Sequence, residues 1–363
     1  MTLEPDPAIF ALEGSREMGA GVARAMGVRL AEHELRRFED GEHKARPLEP
    51  VRGRDAYVVL SLYGDAAEGA GDKLCRLLFF CGSLRDAGAR SVTAVAPYLC
   101  YARKDRKTKA FDPVTTRYVA QMIEAVGVDA VVTLEVHNLA AFQNAFRCRT
   151  VHLTAHGPLM DALLPRLGDA PITVISPDAG GTKRAEAFRE ALAARAGARV
   201  GSAFMEKYRS SGVVSGETLV GELDGRAAVI LDDLIASGGT MRRTAAKARE
   251  HGARAVYAVA THGLFVEHAA EVVADPAFDG VLVTDSVPPF RLTDTAAEHR
   301  VAIVPAGPTI GEALRRWQAL PQGRGAQRIG TLDPHHDRLL LVNEWGGERL
   351  LQELEDDPLP RIC

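Results

Sequence analysis

The 363-residue chain carries 44 basic and 48 acidic side chains, a formal net charge of −4, with 46% hydrophobic and 25% charged residues. That balance belongs to a globular protein large enough for two cores of ordinary size, and it offers no positive field to draw duplex nucleic acid or an anionic membrane. No apolar run approaches the roughly 20 residues needed to span a bilayer, so no membrane partner is expected. The start MTLEPDPAIF lacks a basic region followed by an apolar core, and no signal peptide is expected. Five scattered cysteines (Cys75, Cys81, Cys100, Cys148, Cys363) form no C-x-x-C pair, which fits reduced thiols and a cytoplasmic setting.

Along the chain, short β-branched runs alternate with longer stretches of helical period. AYVVLSL (56–62) leads into KLCRLLFFCGSLRDAG (73–88), SVTAVAPYL (91–99) follows, and TRYVAQMIEAVG (116–127) precedes DAVVTLEV (129–136). Strands apolar on both faces and separated by helices predict an α/β fold, a mainly parallel sheet flanked by helices. The same order restarts with PITVISPDAGGTKRAEAFREAL (171–192), RAAVILDD (226–233) and ARAVYAVATHGLF (253–265). Two α/β halves are therefore expected, 1–154 and 155–320. From Pro321 onward, Gly and Pro punctuation followed by a short apolar strand and an amphipathic helix marks an appendage over 321–363. HLTAH (152–156) has histidines four apart but no acid between them, and PHHD (334–337) reads as a solvated turn, so neither is expected to hold a metal.

The most informative stretch is VILDDLIASGGT (229–240). In an open parallel sheet, ligands gather beyond the carboxyl ends of the strands. The small residues Ser237, Gly238, Gly239 and Thr240 let backbone N–H groups converge on a phosphate at the start of a helix. The missing Gly-Lys-Ser/Thr ending argues against a triphosphate loop of Walker type. Two carboxylates, Asp232 and Asp233, beside one phosphate suit vicinal hydroxyls on a phosphorylated sugar. RKDRKTK (103–109) puts five cations within seven residues past a strand end, enough to neutralise a nucleotide triphosphate near such a site.

VILDDLIASGGT resembles the phosphoribosyl-diphosphate loop of the type I phosphoribosyltransferases. FEDGE (38–42), AVAPYLCYARKDRKTKAFDPVTTRYVAQMI (94–123), LEVHNLAAFQNAF (134–146), SPDAGGTKRAEAF (176–188) and ATHGLF (260–265) are similar, in order and spacing, to segments of the ribose-phosphate diphosphokinases, also called phosphoribosyl-diphosphate synthetases. The resemblance runs from about Glu13 to Trp317. It implies two phosphoribosyltransferase-like domains and transfer of a diphosphoryl group from MgATP to ribose 5-phosphate. It also implies ATP contacts at Arg103, Lys104 and Asp105, with Phe38, Asp40 and Glu42 holding adenine from a neighbouring subunit. A homo-oligomer, dimeric or larger and even-numbered, follows from that shared site. Ribose 5-phosphate is implied at Asp178, Asp232, Asp233 and 237–240, Mg²⁺ at His137 and Asp178, and transition-state cations at Lys207 and Arg209 on a flexible arm.

The chain departs from the family pattern at several places. Ala236 stands where the family usually has a third Asp, Lys104 where it has glutamine, and Glu135 where it commonly has Asp. SLYGDAAEGAGDK (61–73) lacks the family's Pro and Asn. The changes at Lys104, Glu135 and Ala236 leave a catalytically silent homologue, acting as a regulatory or scaffolding subunit, as the competing reading. Lys207, Arg209, Asp232, Asp233 and His137 argue against it, since such a subunit has no need to retain all five.

Overall fold

The computed structural model describes residues 6–197, 200–210, 213–319, 340–342 and 348–350. Residues Met1–Gly311 form one compact unit, and Glu312–Cys363 cluster separately. The first unit contains two sheets. The first is five-stranded, in the order β1 (Ala8–Ala11), β4 (Asp55–Val59), β5 (Ser91–Val95), β6 (Ala130–Leu134), β7 (Arg149–Leu153), and all of its pairings are parallel. Between its strands lie α1 (Arg16–Met26), α2 (Ala70–Asp86), α3 (Thr115–Ala125) and α4 (Leu139–Ala145). An antiparallel hairpin, β2 (His33–Arg37) and β3 (His43–Pro47), stands apart from the sheet. The apolar runs become strands because both faces are covered: every residue of β4 and β6 is buried.

After α5 (His156–Leu167) comes a seven-stranded sheet. Its order is β10 (Val213–Val220), β9 (Gly201–Ser210), β8 (Ile172–Ser176), β11 (Ala227–Ile235), β12 (Ala255–Gly263), β13 (Gly280–Thr284), β14 (Val301–Val304). All pairs are parallel except the β9–β10 hairpin. The helices α6 (Thr182–Ala196), α7 (Gly239–Glu250), α8 (Ala269–Val273) and α9 (Gly307–Ala319) complete this half. The α/β class and the parallel sheets expected from the sequence are what the chain forms.

Helix α2 shows how the first core is built. Leu74, Leu77, Leu78, Phe80, Cys81 and Leu84 are buried, a spacing that wraps one side of the helix. Phe80 is fully buried and meets the Phe10 ring edge to face, at a centroid distance of 5.1 Å. Phe80→Ala is expected to cost about 3–5 kcal/mol, the usual loss for emptying a core aromatic site, read as a lower midpoint in chemical denaturation at unchanged slope.

The halves are fastened to each other by specific polar contacts. The Ser61 hydroxyl donates to the Ser286 carbonyl. Arg291 donates to the Gly64 carbonyl, and the Phe290 and Tyr63 rings lie 5.8 Å apart. Tyr63 in turn carries the buried Lys73 ammonium 3.6 Å over its ring, with Asp65 as counter-ion at 2.5 Å. Helix α1 meets the start of α9 through glycines: a Cβ at Gly307 would fall 2.7 Å from the Met18 carbonyl oxygen, so the approach excludes any side chain.

In the second unit, β15 (Leu340–Val342) pairs antiparallel with β16 (Glu348–Leu350). The apolar strand expected in the appendage is present, whereas Glu348–Leu350, at the head of the stretch expected to be helical, pair as strand. The rest of that stretch and the PHHD histidines lie outside the described residues.

Candidate active site at the junction of the two sheets

The two sheets meet at the carboxyl ends of their strands. His262, the penultimate residue of β12, is buried, and its Nε2 lies 2.9 Å from the carbonyl oxygen of Leu134, which ends β6. A carbonyl only accepts, so the proton is on Nε2, and Nδ1 accepts from the Ser286 hydroxyl at 2.7 Å. This neutral ring pins β12 to β6. Just beyond β6, Glu135 takes a left-handed backbone (φ 48°) and the chain turns to present His137. From the other half, β11 runs two residues past the DD pair to Ile235, and Gly238 (φ 77°) then starts α7. A Cβ at Gly238 would sit 2.8 Å from Val272, so the turn needs glycine twice over.

The two acids are not equivalent. The side chain of Asp233 is 3% exposed, and its Oδ2 accepts from His137 Nδ1 at 2.8 Å. Asp232 is 24% exposed, and its Oδ1 accepts the Asp233 backbone N–H at 2.8 Å. Burial opposes ionisation of Asp233, but the bond from His137 and the nearby Arg184 charge hold its carboxyl below the ordinary range. Burial and the neighbouring Asp233 push Asp232 the other way, well above it. The bond to Asp233 raises His137 above its usual value.

Arg184, from the first turn of α6, joins these groups. Its Nη1 lies 3.2 Å from Asp233 Oδ1 and 3.4 Å from Asp232 Oδ1, its Nη2 donates to the His137 carbonyl at 3.1 Å, and its Nε lies 3.5 Å from Glu135 Oε1. Burial lifts the Glu135 carboxyl to about 7 against the pull of Arg184.

A shallow cleft opens here, lined by residues that include Tyr98, Arg103, Glu135, His137, Asp233 and His262. It gathers one ATP-contacting candidate, one metal candidate and one acid of the sugar pair. Asp105 is tied to the same rim, since its carboxylate accepts from Asn138 Nδ2 at 2.6 Å and Asn138 caps α4. Lys104 is engaged within its own loop, its ammonium 2.6 Å from Asp112 Oδ2. Asp178 Oδ1 accepts the Gly181 N–H at 2.9 Å, at the start of α6. Ser237 to Thr240 form the turn into α7, and Thr240 Oγ1 accepts from Arg243 at 3.3 Å.

Phe38, Asp40 and Glu42 sit at the tip of the β2–β3 hairpin and do not line the cleft. There Glu42 N–H donates to Asp40 Oδ1 at 3.0 Å, and Arg36 covers the Phe38 ring at 4.9 Å. Lys207 and Arg209 belong to strand β9, paired with Glu217 and Val214 of β10, and their side chains lie outside the described residues. β8 ends at Ser176, opposite Phe204, so residues 205–210 overhang the carboxyl edge of the sheet.

Arg184 and the structural role of His262 escaped the sequence reading. Only the KRAEAF context of the first and the position of the second at a strand end pointed toward them. His152 and His156, four apart in sequence, are not on one helix: His152 is in β7 and His156 opens α5, with its Nε2 3.8 Å from Glu135 Oε2.

Burial pushes His152, His156 and His262 down to about 4, so all three fold neutral. Their contribution is complete above the unfolded value of 6.5 and is lost as pH falls from there toward 4. Glu135 and Asp232, raised by burial, act in the opposite sense over this window. With His33 and His43 also lowered by burial, the depressed histidines outnumber the raised carboxyls Glu135, Asp232 and Asp285, so the unfolded chain binds more protons and stability falls as pH falls over this window. Denaturation midpoints at pH 6.5 and pH 5 are expected to fall accordingly.

Comparison with known proteins agrees with this geometry. Residues 7–127 match the model for the N-terminal domain of ribose phosphate pyrophosphokinase, and residues 210–320 match that for the phosphoribosyl synthetase-associated domain. The ribose-phosphate pyrophosphokinase of Hyphomonas neptunium is 33% identical over 309 residues, covering 85% of this chain and 95% of that one. The enzyme of the same name from Vibrio parahaemolyticus is 33% identical over 314 residues, covering 86% and 96%. The crystal structure of phosphoribosylpyrophosphate synthetase from Mycobacterium smegmatis superposes with a TM-score of 0.76 at 28% identity, covering 86% of this chain and 98% of that one. With these matches running through both sheets and the cleft between them, the chain belongs to the ribose-phosphate pyrophosphokinase family.

Proposed function

We propose that the chain transfers the diphosphoryl group of MgATP to the anomeric hydroxyl of ribose 5-phosphate, giving 5-phosphoribosyl 1-diphosphate and AMP for nucleotide synthesis in the cytoplasm. The observation that carries this reading is the meeting of Arg103 and His137 from one sheet with Asp233 from the other around one cleft. The hydroxyl oxygen bonds to the β-phosphorus, the bond from that phosphorus to the α–β bridging oxygen breaks, and AMP leaves in line. Such chemistry asks a protein mainly for positioning and charge neutralisation.

The acids divide the work. Asp232, the more exposed, accepts ribose hydroxyls, while Asp233 holds His137 in place. Backbone N–H groups at 237–240 take the 5-phosphate at the start of α7. Arg103, Lys104 and Asp105 address the nucleotide, Lys104 from a loop in which it also pairs with Asp112. Lys207 and Arg209, on the overhanging hairpin, stabilise charge developing on the transferred group.

His137 suits a magnesium ligand in one respect: donation from Nδ1 to Asp233 leaves Nε2 as the free ring nitrogen, the pattern of a carboxylate-oriented metal histidine. Mg²⁺ usually takes one or two protein ligands beside phosphate oxygens, and His137 and Asp178 would supply them. The ion would neutralise phosphate oxygens of ATP when bound. Phe38, Asp40 and Glu42 stand away from their own cleft, which supports adenine contacts across a subunit interface in a dimer or larger even-numbered oligomer. The two sheets support dividing the chain into domains 1–154 and 155–320, with 321–363 as an appendage.

³¹P NMR of the chain with MgATP and ribose 5-phosphate is expected to show AMP and a sugar-linked diphosphate appearing together. ADP with a ribose bisphosphate would overturn the reading, as would no turnover.

A further inference from the structure

We propose that Arg184 is a positioning residue for the sugar-binding acid pair. Its guanidinium, held from behind by Glu135 and the His137 carbonyl, fixes the side-chain directions of Asp232 and Asp233 before ribose 5-phosphate arrives. The inference rests on the function proposed above.

Two adjacent carboxylates repel, and left alone would turn apart toward solvent. Here one guanidinium nitrogen, Nη1, lies against an oxygen of each, at 3.2 and 3.4 Å, while the other two nitrogens of the fork face its supports. Arg184 can do this only if it is itself held. Its Nε faces Glu135 Oε1 at 3.5 Å, its Nη2 donates to the His137 carbonyl at 3.1 Å, and its side chain is 15% exposed. The Glu135 side chain is 7% exposed, and its left-handed backbone (φ 48°) turns the chain at the end of β6. Among the described residues its second oxygen has no hydrogen-bond partner, and the Arg184 guanidinium beside the first makes its burial tolerable. The arginine thus couples the end of β6 to the end of β11, the two edges that must keep register for sugar and nucleotide to meet. Lysine at 184 would keep the charge and lose the fork.

Three variants test this: Arg184→Lys, Arg184→Met and, acting through the anchor, Glu135→Gln. The KM for ribose 5-phosphate is expected to rise about 100-fold in Arg184→Met and about 10-fold in Arg184→Lys, with the KM for MgATP changed less than about threefold. Glu135→Gln is expected to reproduce the Arg184→Lys pattern. Methylguanidinium added to Arg184→Met is expected to recover part of the ribose 5-phosphate affinity, a response that loss of folding would not give. An unchanged KM for the sugar phosphate, or equal rises for both substrates, would overturn the assignment. If Arg184→Met does not fold, Arg184→Lys carries the same comparison. Should the wild type release no AMP, the function reading fails by itself; calorimetric titration of ribose 5-phosphate into wild type and Arg184→Lys then decides this one, and equal affinities would sink it.

Discussion

Asp233→Asn is expected to lower turnover roughly 10²- to 10³-fold, the range seen when one preorganised electrostatic contact is removed from a reacting site. Asp233 is all but buried, and it faces both His137 at 2.8 Å and Arg184 at 3.2 Å. An amide at this position can offer His137 one oxygen but no charge, and its NH₂ group points a donor at either the imidazole or the guanidinium. Either the histidine loses the bond that fixes its ring, or it keeps an uncharged one while Arg184 meets a donor and keeps only Asp232 and Glu135. Removing one partner of a buried, hydrogen-bonded charge pair typically costs about 2–5 kcal/mol. Asp232→Asn is the matching control. Because Asp232 is the more exposed acid and faces no histidine, its loss is expected to raise the KM for ribose 5-phosphate more than it lowers kcat. Steady-state kinetics on the two variants separates the roles, and identical profiles would show that the acids act as one unit.

Lys207→Ala is expected to reduce kcat by a similar roughly 10²- to 10³-fold while leaving the dissociation constant of MgATP within a few-fold. The reason lies in where the backbone goes. β9 continues past the end of β8, and beyond that end residues 205–210 keep their strand pairing with the antiparallel partner β10. Two cations one residue apart on such an overhang can serve the transferred group without serving the ground state. Equilibrium nucleotide binding together with single-turnover rates checks this, and a variant that turns over normally would remove Lys207 from the mechanism.

The elements that position the site were legible because their signals are local. Continuous β-branched runs became parallel strands, and the DD pair, Gly238 turn and following helix lay together in twelve residues. What could not be read was pairing across the fold. Asp233 and His137 are 96 residues apart in sequence, and only the meeting of the two sheets makes them partners. The same holds for His262, whose ring bonds a carbonyl 128 residues away. Arg184 sat in an ordinary helical context, and nothing in KRAEAF distinguishes an arginine aimed at three carboxylates from one aimed at solvent. The inequality of Asp232 and Asp233 is likewise a matter of burial, which adjacent identical letters do not record. The pairing of Lys104 with Asp112, eight residues on, was equally hidden in a run of five cations suited to phosphate.

The most direct test is a crystal structure of the chain soaked with ribose 5-phosphate and a non-hydrolysable ATP analogue. The sugar phosphate is expected against the amides of 237–240, with its hydroxyls on Asp232 and the triphosphate beside Arg103 and His137. A sugar phosphate bound away from the Gly238 turn, or a nucleotide outside the cleft where the two sheets meet, would contradict the account.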